Sequence, residues 1–239
     1  MTTTMTTADN PLLQPWNTLY GLPPFDRITP AHFAPAFEQA LAAHLAEIDA
    51  IAASPQAPGF DNTVAALDRS GRALRRIEGV FHNLCASEST PALRAVEREM
   101  APKLAAHESA IYLNARLFAR LEALHEQREL LGLAPEQQRL LERIHLDFVM
   151  AGARLAPEAQ ARYAQVMQRL AELNTQFGQH VLGDEAAWQL ALNGEADLAG
   201  LPEWVRNAAR EVATQRGSDG HMVSLSRSLV MPFLTFSRR

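Results

Sequence analysis

The stretch that decides the fold is NPLLQPWNTLYGLPPFDRITPAHFAPAFEQAL, residues 10–41. Its first part holds four prolines, Pro11, Pro15, Pro23 and Pro24, which fix φ and remove amide donors, so regular helix is excluded there. Thr29 followed by Pro30 then reads as a helix start, a cap residue and a proline at the first helical position. From that point Phe33, Phe37, Leu41, Leu45 and Ile48 recur at three- and four-residue steps. One apolar stripe on a helix of roughly 23 residues is the predicted result. Leu12, Leu13, Trp16, Leu19, Tyr20 and Phe25 of the arm are expected to lie on the body as a strap, since a free tail carries few aromatics.

Working outward, the same period recurs. The loop SPQAPG (54–59) ends the first helix. Asp61 or Asn62 is read as the cap of a second, with Val64, Leu67, Leu74, Phe81 and Leu84 buried and Gly71 at a close backbone approach. Ser89-Thr90-Pro91 opens a third, with Leu93, Val96, Met100, Leu104, Ile111, Phe118 and Leu121 inward and a kink or break at Pro102. Gly132 ends it. Pro135 opens a fourth helix with Leu140, Ile144 and Phe148. Pro157 opens a fifth, whose stripe, Tyr163, Val166, Leu170, Leu173, Phe177 and Val181, is the cleanest in the chain and is read as core. Long helices joined by short loops predict antiparallel neighbours.

After Gly183 the pattern changes. Trp188, Leu190 and Leu192 alternate with small or polar residues, Pro202 opens a helix that stops near Gly217, and HMVSLS (221–226) alternates again. The expected fold class is therefore mainly α, an antiparallel array of long helices with a small strand-helix-strand element near the C-terminus. The expected domains are an N-terminal arm (1–29), a long-helix domain (30–183) and a strand-helix-strand segment (184–239). Residues 1–9 are polar and expected to be mobile. The run LVMPFLTF (229–236) is apolar and β-prone, and reads as a site of self-association.

The bulk numbers narrow the function. The net charge is −5, and the basic residues are scattered, which argues against nucleic acid and against a polybasic membrane patch. Lys103 is the only lysine among 22 basic residues, a bias of genome composition and not of site chemistry. Cys85 is the only cysteine, so no intrachain disulfide forms. The N-terminus lacks the features of a secretory signal, and no apolar run is long enough to span a membrane. Cytoplasm is the expected location.

Candidate chemistry is sparse. A metal-binding helix of the H-E-x-x-H kind needs two histidines four apart, and the two nearest of the eight here, His32 and His44, are twelve apart. The sequence His125-Glu126-Gln127-Arg128-Glu129 has Glu129 where the second histidine belongs, and reads as a solvated face. His107-Glu108 has Ile111 at the fourth position. His145 is expected to be a packed or hydrogen-bonded core residue. Cys85 follows Leu84 on an apolar face and reads as a structural thiol. No phosphate loop, dinucleotide turn or nucleophile elbow is present. The expected catalytic, cofactor-binding and metal-ligating residues of this chain are none.

The head (10–41) resembles the opening of the zinc oligopeptidases of the thimet-oligopeptidase type, in their oligopeptidase A and peptidyl-dipeptidase branches. So do FDNTVAALDRSGRALRRIEGVF (60–81), ESAIYLNARLFAR (108–120), RLLERIHLDFVMAGARL (139–155), LAELNTQFGQHVL (170–182) and DLAGLPE (197–203). The resemblance implies an N-terminal, channel-forming portion of such an enzyme. The catalytic H-E-x-x-H part, its zinc and its contacts to short peptide substrates belong to a half that the resemblance places downstream and this sequence lacks. It implies a monomeric intact enzyme, with no zinc bound by these residues. A stand-alone helical peptide- or protein-binding module without catalysis is the alternative.

Overall fold

The computed structural model describes residues 10–238; the polar segment 1–9 lies outside the described residues. Two compact units divide the chain, residues 1–175 and 176–239.

In the first unit, a short 3-10 turn (Pro30–His32) runs directly into α1 (Phe33–Ala52). The cap is made from inside the turn: His32 Nδ1 accepts the Thr29 N–H at 2.9 Å and lies 3.1 Å from its hydroxyl. Phe33, Ala36, Phe37 and Ala40 enter one core with Leu74, Ile77 and Phe81 of α3 (Arg72–Ser87) and Leu93 and Met100 of α4 (Pro91–Tyr112). The Phe81 ring lies 5.0 Å from Phe33 and meets Phe37 edge-on at 5.3 Å, the tilted geometry that the ring quadrupole favours.

Part of the arm is a strap and part is not. Leu12 is fully buried in this core. Asn10 fixes the entry: its Nδ2 donates to His32 O at 2.8 Å while its Oδ1 accepts from Leu12 N–H at 3.0 Å. Arg76 donates to Leu12 O at 2.9 Å and stacks its guanidinium 4.6 Å from the Trp16 ring centre. Beyond Trp16 the expectation fails. Leu19, Tyr20 and Phe25 are 75%, 89% and 49% exposed. Tyr20 takes a left-handed conformation (φ 59°) in a 3-10 turn at Leu19–Gly21.

A second core gathers Ile48 and Ala52 of α1, Val64, Leu117, Leu121 and Leu124 of α5 (Ala115–Glu126), and Leu141 and Phe148 of α6 (Pro135–Met150). Between the cores the second and third predicted helices are each broken in two. Phe60–Val64 forms a π-type turn, followed by α2 (Ala65–Arg69). Asn62 caps this run from within, its Oδ1 accepting Gly59 N–H at 2.9 Å. The chain then breaks at Ser70-Gly71, where Gly71 is left-handed (φ 68°). What comes close to Gly71 is a side chain and not a backbone: a Cβ there would lie 2.6 Å from the His44 ring. The expected break at Pro102 does not occur, and α4 continues through it. The chain breaks instead at Leu113-Asn114, where Asn114 Oδ1 accepts Leu117 N–H at 3.0 Å and starts α5. A side chain that satisfies orphan amide donors decides the break, while proline removes only one donor.

Helix α7 (Pro157–Ala187) forms as predicted, but none of its residues is buried. Its stripe is half-buried at Tyr163 and exposed from Val166 to Val181, up to 70% at Phe177, so it is not core. In the second unit, β1 (Leu190–Leu192) pairs antiparallel with β2 (His221–Val223), Ala191 opposite Met222. They pack with α8 (Glu203–Gln215) and α9 (Arg227–Phe236) around Val205, Ala209, Val223, Leu229 and Phe233. The run 229–236 is thus helical, not extended, and Leu229 and Phe233 are core residues of the unit. Gly200 is required here: it has φ 86°, and a Cβ on it would lie 2.3 Å from Phe236 O.

Arg120 holds the first unit's break region. It is buried, and its guanidinium donates to Ser54 O (3.2 Å), Gln56 O (3.0 Å), Asn62 Oδ1 (2.9 Å) and Thr63 Oγ1 (3.3 Å). Every partner is a neutral oxygen of the loop or turn. Removing the guanidinium orphans several of them at once. Arg120→Ala is expected to cost about 2–4 kcal/mol, read as a lowered midpoint in urea unfolding; a loss below about 0.5 kcal/mol would contradict this role.

Candidate functional site

The first unit carries an open cleft of about 780 Å³. Its lining comes from α1 to α4, α6 and the first part of α7, and includes His44, Ser70, Arg75, Glu78, Phe81, Met100, His107, Glu108 and Leu170. Of the α7 stripe, Leu170 lines this cleft, with Met167 and Ala171 beside it.

A chain of hydrogen bonds runs along this lining. The Ser70 hydroxyl donates to Leu67 O at 2.7 Å, so its oxygen accepts from His44 Nε2–H at 3.1 Å. A neutral imidazole has one donor and one acceptor. His44 Nδ1 therefore accepts from His107 Nε2–H, at 2.9 Å. The last atom of the chain, His107 Nδ1, is left as an acceptor; it is buried and has no partner. The electrostatics agree with two neutral rings. Burial pushes both histidines below their ordinary range, His107 down to about 4, with His44 as a second cause. The Gly71 break makes room for the His44 ring, and Glu47 accepts Gly71 N–H at 2.7 Å.

This arrangement is not set for nucleophilic attack. A nucleophilic serine gives its proton to a histidine; Ser70 accepts from one and directs its own proton to a carbonyl. Nor does the donor set fit a catalytic zinc, because His44 uses both nitrogens within the chain and His107 uses one. Among the described residues no three His, Cys, Asp or Glu side chains gather as a metal site.

The sequence candidates fall elsewhere. His145 is buried and lies 3.1 Å from Glu122 Oε2, and Glu122 also receives Arg154 at 2.7 Å. Burial opposes ionisation of Glu122, and the hydrogen bonds from His145 and Arg154 outweigh it, so its carboxyl sits below the usual range. His125 is half-buried and stacks on His145 at 3.8 Å; it is not simply solvated. Helix α5 ends at Glu126, so Glu129 does not share a helical face with it. The Cys85 thiol is pushed up to about 11 by burial and by Glu97, which leaves it protonated and a poor nucleophile. Spacing within a single helix carries no trace of the pairing of His44 with His107. These two are 63 residues apart on α1 and α4. The only local hint was a glycine two helices away at position 71.

The first unit is a helical body with a cleft lined by apolar, acidic and imidazole side chains. The chain is a homologue of dipeptidyl carboxypeptidase and oligopeptidase A, and corresponds to an N-terminal portion of such proteins. It is 38% identical to dipeptidyl carboxypeptidase of Escherichia coli over 97% of its own length and 34% of that protein. It is 40% identical to the dipeptidyl carboxypeptidase of Salmonella typhimurium over 88% of its length and 31% of that protein. With oligopeptidase A of Haemophilus influenzae it shares 29% identity over 95% of its length and 33% of that protein. The chain thus spans about a third of the length of these relatives. No protein-family model matches it. Among the described residues no helix is long and apolar enough to cross a membrane.

Two predictions follow from the buried pair. A histidine whose folded-state value is depressed binds its proton more readily when unfolded, so its contribution is present above the unfolded value near 6.5 and is lost as pH falls towards the folded value. For His107 the window is pH 6.5 down to about 4, and the expected loss is on the order of 2–3 kcal/mol. Denaturant midpoints across this window test it; a flat profile in wild type would contradict it. Gly71→Ala is expected to cost at least about 2 kcal/mol, because it strains the backbone and displaces the His44 ring; thermal unfolding compared with Gly79→Ala, where a Cβ meets open space, separates this from a general glycine effect.

Proposed function

We propose that these residues are the N-terminal, channel-forming portion of a zinc-dependent oligopeptidase or peptidyl-dipeptidase of the cytoplasm. The observation that carries this reading is the match of 97% of the chain to about a third of a dipeptidyl carboxypeptidase. In this reading the helical unit restricts access to short, extended peptides. Zinc, held by residues of the remaining two-thirds of the protein, activates the water that attacks the peptide bond. The present residues contribute no ligand and no acid or base to that step. They act by shape and by the charge of the surfaces they present.

The division of labour is testable. The 239-residue chain with added zinc is expected to give no hydrolysis of a fluorogenic oligopeptide above blank. The same residues joined to the catalytic two-thirds of a dipeptidyl carboxypeptidase homologue are expected to give chelator-sensitive hydrolysis of short peptides and none of folded proteins. Turnover by the 239 residues alone would overturn the reading. A joined protein that binds zinc but turns over no peptide would favour the stand-alone binding module instead.

A further inference from the structure

We propose that the stacked imidazoles of His125 and His145 are a proton-operated latch, which holds the end of α5 against α6 while the pair carries at most one positive charge and releases it when a second proton binds.

Helix α5 presents Phe118, Glu122 and His125 on one face, at steps of four and three residues. Phe118 and His125 are about 10 Å apart along the helix axis. The ring of His145, from α6, lies between them, 5.8 Å from the first and 3.8 Å from the second. The two imidazoles are within 5° of parallel. Glu122 meets the His145 ring at its edge: Oε2 accepts from His145 Nε2–H at 3.1 Å, while Oε1 accepts from Arg154 at 2.7 Å. Three groups of α5 thus grip one buried side chain of α6.

The charges around the stack decide how many protons it holds. One positive charge has the Glu122 carboxylate beside it and aromatic faces to lie against. A second, 3.8 Å away, meets the first directly. From the turn after α5, Arg128 adds a further positive charge, and its Nη1 donates to His125 O at 2.8 Å. From α6, Glu142 opposes it, but this carboxylate is shared with Arg128 at 3.9 Å, Arg139 at 3.7 Å and the Gln138 amide at 3.2 Å. Glu129 is exposed and lies 3.8 Å from Arg128. Burial, then the charges of His145 and Arg128, hold the His125 imidazole below its ordinary range, against Glu122 and Glu142. The rings therefore titrate as a pair, in two separate steps, with the second below neutrality.

Packing bounds what the second proton moves. His145 is buried and anchored by Glu122, whereas His125 is half-buried at the helix end, so His125 is the ring that leaves. Leu124 before it and Leu131 and Leu133 beyond it stay with the second core. The part that opens is 125–130, in which Leu130 is already 87% exposed.

The full chain, labelled with nitrogen-15, is titrated from about pH 7.5 to about 4.5, a range that spans the ordinary histidine value. The ring nitrogens of His125 and His145 are expected to follow two steps at least about one pH unit apart. Across the second step the order parameters of backbone amides 125–130 are expected to fall by at least about 0.2, from the rigid towards the flexible range, while those of α3 hold. His125→Phe and His125→Gln take no proton at this position, one with a ring in the stack and one without. Both are expected to leave a single step at His145 and order parameters at 125–130 that do not change with pH. One common step for both rings, unchanged order parameters across the second step, an equal loss in α3, or the same pH-dependent loss in both variants would each overturn the latch.

Discussion

Helix α1 places Phe33 and Phe37 in one core and Ile48 and Ala52 in the other. A helix of its 20 residues is about 30 Å long, enough to serve two clusters that do not otherwise share a buried residue. Each fully buried Phe, Leu or Ile contributes about 1.5–3 kcal/mol through removal of apolar area from water. Because the same rigid rod carries contributions to both, the clusters cannot shift independently. The arm adds to this at one end, where Leu12 fills the space beside Phe33 and Asn10 ties the chain to His32 O. The loop at 54–59 and its Arg120 staple do the same at the other. The positions of α3, α4 and α5 follow from which end of α1 they face, and α6 packs on α5 and the turn at Phe60–Val64.

How much of this was legible follows from which forces leave a periodic trace. Apolar period did: the helix starts at Pro30, Pro91, Pro135 and Pro157, the strands at 190–192 and 221–223, and the helix between them all lie where the pattern put them. Breaks inside a helix did not. Ser70-Gly71 and Asn114 interrupt segments whose apolar spacing runs on undisturbed, because the break is decided by where an imidazole needs room and where an amide side chain finds orphan donors. Pro102 looked the stronger interruption, yet it lacks a neighbouring side chain to take over the amides of a new helix start. The arm was half legible for a similar reason. Its aromatic content predicts burial, but burial also needs a bolt, and Asn10 and Arg76 supply bolts only as far as Trp16.

The stripe of α7 shows the limit of periodicity most clearly. Its spacing is the cleanest in the chain, and spacing alone says that a face is apolar. It does not say what meets that face. In the first unit, Leu170 of the stripe borders an open cleft instead of a packed core, with Met167 and Ala171 beside it. Close-packed interiors leave few voids larger than a water molecule. The cleft is a different object, open to solvent on one side, and the apolar groups that line it forgo contacts they would make in a packed interior, at a cost in dispersion energy.

That cost bears on how the His44–His107 pair is to be understood. Two imidazoles, a serine and a glycine break are a demanding way to fill the region beside a cleft, since an apolar side chain of similar volume avoids desolvating polar groups altogether. The arrangement fixes which atom of His107 accepts, and the break at Gly71 exists where the His44 ring requires it. The hydrogen bonds of Ser70, His44 and His107 hold both rings neutral and in one tautomer each, with no nucleophile and no metal ligand among the groups that form the chain.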